Sequence, residues 1–232
     1  MIANFYSPDD LVALWISLKL ATITVSLLLV LCTPLAWWLA MSRSPLRIIV
    51  EAVAALPLVL PPTVLGFYLL LFLGPYGWGG RLAQHLGMAP LTFSFGGLVL
   101  GSMLYSLPFV VQPLQQSFQA IGLRTLEVAA TLRASPWDRF VSVALPLARR
   151  GFLTGSVLAF AHTLGEFGVV LMLGGNIPGR TQTGSIIIFN HVEALDYSAA
   201  QHLSVTLLVA SFALLLIVYA INRAMPNATV AA

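Results

Sequence analysis

Five long, mostly apolar stretches, at 11–41, 48–73, 95–113, 150–173 and 202–222, decide what this chain can fold into. About 20 apolar residues in a helix cross the hydrocarbon core of a bilayer, and a helix satisfies its own backbone there. Only 8% of the 232 residues are charged and 59% are hydrophobic, whereas about a quarter of a soluble domain is charged. The chain therefore reads as an all-α integral membrane protein with about five spanning helices, forming one transmembrane domain over 1–232. Segment 182–195 is apolar at Ile186, Ile187, Ile188 and Phe189 but is interrupted by Asn190, His191 and Glu193. It suits a short interfacial or re-entrant helix better than a sixth span.

The flanking charges set an orientation. Placing the 114–150 connection inside puts Arg43, Arg47, Arg124, Arg133, Arg139, Arg149, Arg150 and Arg223 on the cytoplasmic side, with only Arg81 and Arg180 opposite. The positive-inside rule then predicts an external N-terminus and a cytoplasmic C-terminus. The N-terminus lacks the basic residue of a cleavable signal, and its apolar run is too long for one. Lys19, the only lysine, lies inside the first span and can snorkel outward, so no phosphate-binding loop with its lysine exists here. No Cys/His cluster has metal-ligand spacing. Cys32 is the only cysteine and reads as packing. The basic residues are accounted for by orientation, which leaves no case for a nucleic-acid partner. A sequon at Asn227 would lie in the cytoplasmic tail and carry no glycan.

The 117–146 connection is more ordered than a simple tether. Ser135 followed by Pro136, with Asp138 three residues after the serine, is a helix start: a capping hydroxyl, a first-turn proline and an acid at the positive helix end. An upstream helix must close near Arg133, so two short helices meet at an angle. Pro146 disfavours helical geometry at Leu145 and should divide the second short helix from the fourth span. Trp137, Phe140 and Val141 fall on one helical face; so do Leu123, Leu126 and Ala130. Apolar faces on a cytoplasmic knob call for a partner, either another protein or the lipid headgroups and the knob's own bundle.

Within the spans, Pro57, Pro61 and Pro62, followed by Thr63, interrupt the second run, and Pro108 and Pro113 predict similar breaks in the third. Broken backbone at membrane depth is tolerated when buried in protein or lining a cavity, so a packing kink and a transport path both remain open. The fourth run carries a small-residue stripe at Gly151, Gly155 and Ala159, suited to close helix contact. It continues to His162 and Glu166, which are i, i+4 and can pair. They read as pathway or gate groups, or as a structural pair orienting a gate or an interface. Thr63, Ser102, Ser106, Thr154 and Thr163 offer hydroxyls to an anion or, equally, to their own helices.

The run Leu126-Glu127-Val128-Ala129-Ala130, closing downstream at Leu145-Pro146, resembles the EAA loop of ABC importer permeases. Glu127 and Ala129 match, Val128 stands at the first alanine position, and Arg133 replaces the usual glycine of the turn. The proline-rich second span, Leu164-Gly165-Glu166-Phe167-Gly168 and the stretch Gly174 to Thr183 resemble the molybdate branch of that family, with tungstate and sulfate permeases as neighbours. The resemblance runs from about residue 10 to 222. It implies a type I importer permease that is not itself an enzyme and binds no cofactor. Glu127, Ala129, Ala130, Ser135, Pro136, Trp137, Phe140, Leu145 and Pro146 would be the ATPase-coupling residues, and Ala129 and Ala130 are small enough for close approach. The implied assembly has two permease copies, two ATPase subunits carrying ATP and magnesium, and a periplasmic molybdate-binding protein, in a bacterial cytoplasmic membrane. A membrane-embedded hydrolase using His162 and Glu166 is the rival, but no nucleophile is spaced with them.

Overall fold

The computed structural model describes residues 6–224; the sequon at Asn227 lies outside them. Helix α1 (Pro8–Met41) begins at a capping box. The Ser7 hydroxyl accepts from the Asp10 amide at 3.1 Å, and Asp10 Oδ2 accepts from the Ser7 amide at 2.7 Å. At about 1.5 Å per residue α1 is longer than the hydrocarbon core is thick. It is apolar all round, as a lipid-embedded helix must be. Its buried face mixes small residues, Ala13, Ala21, Cys32 and Ala36, with Leu20, Leu28 and Leu39, whereas Trp15, Val30 and Leu31 face outward. Small residues let backbones approach where lipid gives no hydrophobic drive for association.

Helix α5 (Phe95–Thr131) packs along α1 and forms the centre of the bundle. Pro108 and Pro113 do not break it, contrary to the expectation from sequence. The helix runs past both, and its one non-helical residue is Gly122 (φ 73°, ψ 154°). The helix of the third run therefore continues to Ile121, and the connection that follows begins later than 117. A proline removes one donor but ends a helix only if nothing holds the flanking turns. Here Val110, Val111, Leu114 and Phe118 are buried between α1 and the helices that follow, which clamps the turns on both sides.

The second apolar run is two helices. α2 (Leu46–Ala55) continues through a 3₁₀ turn at Leu56–Leu58, and α3 (Pro62–Leu73) leaves at 110°. Pro61 is extended (ψ 137°), and two successive prolines lacking amides allow no continuous ladder. After a short helix, α4 (Trp78–His85), and the long α5 come two short pieces, α6 (Pro136–Asp138) and α7 (Leu145–Leu147), bridged by a π-helical turn at Arg139–Ala144.

The fourth run is also divided, into α8 (Arg149–Leu164) and α9 (Gly168–Gly174). The stripe on α8 packs against α5: a Cβ on Gly151 would lie 2.2 Å from Ser117 Oγ, and one on Gly155 would lie 3.4 Å from Val110 Cα. Helix α9 packs on α3. There a Cβ on Gly66 would come within 2.8 Å of Met172 Cβ, and one on Gly168 within 2.7 Å of Pro62 Cβ. The breaks of the second and fourth runs thus touch each other.

Helix α10 (Gly184–Glu193), at about 15 Å, is too short to span. It lies against α1, its Gly184 amide donating to Ser17 Oγ at 2.8 Å and His191 Nε2 meeting Asp10 Oδ1 at 2.9 Å. α11 (Tyr197–Ala224) closes the described chain. Among the described residues, α1, α5 and α11 are each long and apolar enough to cross a membrane; counting each bent pair, α2 with α3 and the α6–α7 segment with α8, as one span gives up to five.

Candidate functional site

Two places concentrate the residues that sequence points to. The first is the knob from Leu123 to Leu147. The end of α5 closes with the Arg133 amide donating to Ala130 O (3.0 Å) and the Ala134 amide to Ala129 O (3.2 Å), a Schellman motif. Its left-handed position is Arg133 itself, at φ 63°. The arginine therefore takes up the turn geometry that glycine adopts freely. Two residues on, the Ser135 hydroxyl accepts from the Asp138 amide at 3.1 Å, and Pro136 occupies the first turn.

Leu145 differs from its sequence reading. It is helical (φ −60°, ψ −48°), and the chain bends instead at Ala148, where the knob meets α8 at 65°. The wider π-helical turn explains this: its i→i+5 spacing fits Pro146, which offers no amide, without ending the helix. The expected common face of Trp137, Phe140 and Val141 is also divided. Phe140 turns inward, with its ring centroid 5.2 Å from Trp37 and 6.2 Å from Phe118, whereas Trp137 is 72% exposed. Leu126 and Ala144 are buried beside it. The outer side presents Glu127, Val128, Ala130, Leu132 and Trp137, with Ala129 half-buried between them. The exposed Trp137 ring contacts Phe140 (centroids 5.8 Å apart), and Phe140 in turn contacts Phe118 on α5 (6.2 Å), so the apolar crest is joined to the bundle by a chain of rings.

The second place is the meeting of the two breaks. Pro57 and Pro62 are half-buried there, while Pro61 and Thr63 are exposed. His162 and Glu166 do not pair. Helix α8 ends at Leu164 with Gly165 as its cap, so Glu166 leaves the helical path that an i, i+4 contact requires. His162 Nδ1 instead meets Ser106 Oγ at 2.9 Å, and Ser106 Oγ meets Thr163 Oγ1 at 2.9 Å. The imidazole sits between Tyr105 and Phe109, with centroids at 4.6 and 4.2 Å. Glu166 is 4% exposed. Ser102 Oγ lies beside its carboxyl but outside good hydrogen-bond geometry, so both carboxyl oxygens and that hydroxyl make no hydrogen bond. The Glu166 backbone carbonyl accepts from Ser185 Oγ at 2.5 Å, which ties the break to the start of α10.

Sequence reasoning missed two polar clusters. Arg47 Nε donates to Glu51 Oε1 at 3.1 Å, and Gln115 Nε2 bonds the same oxygen, joining α2 to α5. The signal was present: two charges four residues apart on a helix, and a glutamine facing them in an apolar run. In the 174–183 loop, Asn176 bonds both Asn190 (2.8 Å) and Gln182 (2.7 Å), and Thr181 Oγ1 donates to Gly174 O at 2.7 Å. Arg180 is exposed at the loop's edge.

The chain matches the family described as binding-protein-dependent transport system inner membrane component over residues 32–228. It is 58% identical over 217 residues to the molybdenum transport system permease protein ModB of Azotobacter vinelandii, covering 94% of this chain and 96% of that one. A probable sulfate transport system permease protein, cysT, of Zygnema circumcarinatum is 35% identical, covering 79% of this chain and 64% of its own length. Among solved structures, a bacterial ABC transporter involved in import of the acidic polysaccharide alginate superposes with a TM-score of 0.79 at 16% identity, over 97% of this chain and 83% of that one. With its helices broken and packed as described, the chain belongs to the binding-protein-dependent transport system inner membrane component family, the multi-pass permease subunits of ABC importers.

Proposed function

We propose that this chain is the permease of a molybdate importer, and that ATP hydrolysis on a separate subunit drives it through the 123–147 knob. The observation that carries the coupling role is the division of labour in that knob. Phe140 and Leu126 anchor it in the bundle, while Val128, Leu132 and Trp137 remain exposed for another protein to cover. Burying each large side chain stabilises an interface by roughly 1.5–3 kcal/mol, enough for a few to transmit a push. Two such permeases, related by a two-fold axis, enclose the path and present two knobs to two ATPase subunits, which hold ATP and magnesium. ATPase closure moves the knobs, the two bundles rock apart toward an external molybdate-binding protein, and hydrolysis resets them. The N-terminus is external and the C-terminus cytoplasmic, which places the knob inside.

The junction of the two breaks is the proposed pathway or gate, with Pro57, Pro61, Pro62, Thr63, His162 and Glu166 around it. His162 meets the Ser106 hydroxyl, but Glu166 leaves the helical path and does not orient the imidazole, so the nucleophile–base–orienter set of a hydrolase is incomplete, which disfavours that reading. Molybdate, the oxyanion of molybdenum, is assigned because the relative at 58% identity is described as a molybdenum transport system permease protein. Tungstate, a tetrahedral dianion of nearly the same size, and sulfate, a smaller one, are the alternatives. Uptake of radiolabelled molybdate by cells lacking this chain, with and without its restoration, tests the reading. Restoration should recover uptake, and excess sulfate should leave it largely intact; recovery of sulfate uptake alone would reassign the substrate.

A further inference from the structure

We propose that the groove between α8 and α11 holds one phospholipid with an anionic headgroup. Where α8 leaves the knob, Arg150, Tyr219, Asn222 and Arg223 surround a recess of about 460 Å³. Two guanidinium charges at the mouth suit a phosphodiester, and the exposed Arg223 can grip it with paired donors. The Asn222 Oδ1 atom is buried and makes no hydrogen bond, and a glycerol headgroup carries hydroxyls that can donate to it. Tyr219 is of the type that gathers where headgroups meet acyl chains.

The recess continues along the helices. Tyr219 and Asn222 also close a narrower crevice of about 90 Å³ whose other walls include Val157, Leu158, Leu215 and Val218. A basic mouth opening onto an apolar slot is the shape of a lipid, head and tail together. A free phosphate would use the first part and leave the second empty. None of the most apolar window of α11 is buried within the protein, so this helix presents an apolar surface to the bilayer, from which the ligand would come. Because the mouth and the knob share one end of the bundle, the lipid belongs to the leaflet that faces the knob. Basic pockets between spanning helices on that side are where anionic headgroups collect. The proposal holds whichever anion the permease transports.

The test uses the intact transporter, purified and delipidated in detergent. Phosphatidylglycerol, phosphatidylcholine or soluble glycerol 3-phosphate is added, and native mass spectrometry and thermal unfolding are read. Phosphatidylglycerol should be retained at about one molecule per permease chain and should raise the Tm, with phosphatidylcholine weaker on both counts. Arg223→Ala removes an exposed side chain in the last turn of α11. It should lower retention about fivefold, the attraction of one arginine to an anionic surface. Val218→Trp fills the crevice, leaves both arginines in place and should lower retention as well. Equal retention of the two lipids, or no effect of either variant, overturns the proposal. An equal Tm shift from glycerol 3-phosphate makes the recess a soluble-anion site instead. Crosslinking of a Leu215→Cys variant to a second protein chain would show that protein, not lipid, fills the groove.

Discussion

Arg133 shows how much a single position can cost and still hold. It sits at φ 63°, in the left-handed region, with both Schellman bonds formed around it. A side chain there costs about 1 kcal/mol relative to glycine. Arg133→Gly should therefore raise the Tm of the purified complex by about 2 °C without altering the knob, as read by thermal unfolding. Gly168 is the opposite case, since its missing side chain is what lets α9 touch α3. A Cβ there would be 2.7 Å from Pro62 Cβ, within a contact that neither backbone can easily yield. Gly168→Val should destabilise by about 1–3 kcal/mol, visible as lost monodispersity in detergent and a lowered Tm. A wild-type Tm would mean that the two breaks are not in contact in the membrane.

At the scale of elements, the knob is short but closed at both helix ends. The Schellman turn satisfies the last carbonyls of α5, and Ser135 satisfies a first amide of α6, so the angle between them is fixed by hydrogen bonds. The π-helical turn then leads into the bundle without losing Phe140 from its pocket against Trp37. A rigid element of this kind transmits displacement, whereas a loop would absorb it. Ala129→Glu places a charge on the crest between Val128 and Ala130. It should reduce co-purification of the ATPase subunit roughly fivefold or more while leaving permease yield unchanged. Trp137→Ala removes an exposed ring that supports nothing internal beyond its contact with Phe140. Transport should fall while membrane-inserted protein, measured by immunoblot, stays constant. Equal losses of both would assign the tryptophan to folding.

For the molecule as a whole, one chain is an incomplete enclosure. Leu208, Val209, Phe212 and Leu216 on α11 face outward, and so do Ile48, Ile49 and Val53 on α2. Lipid can cover either surface, but a path for a hydrated dianion needs more walls than one bundle offers. Native mass spectrometry of the complex should give two permease chains with two ATPase subunits. A stable one-to-one complex that still transports would refute the two-fold arrangement. The polar ties Asp10–His191, Ser17–Gly184 and Ser185–Glu166 all join α10 to neighbouring elements, linking the N-terminal end of α1 to the break at Glu166. A movement of that break would thus be felt at the start of α1.

Whatever depends on near neighbours could be read from the sequence. Apolar run length gave the membrane class, and Ser135, Pro136 and Asp138 gave the start of the second short helix. The small-residue stripe on α8 predicted close packing, because a missing side chain is local and the partner need only be a backbone. Tertiary structure alone decided which prolines break a helix. Pro61 and Pro62 do, where two amides are lost in succession; Pro108 and Pro113 do not, where packed neighbours clamp the helix. It also decided that His162 meets Ser106 on α5 and not Glu166 four residues away. A proline or a histidine fixes what the chain lacks or offers at one point. Where neighbours in sequence do not settle the outcome, the energy that selects it comes from side chains remote in sequence, brought near only by the packed fold.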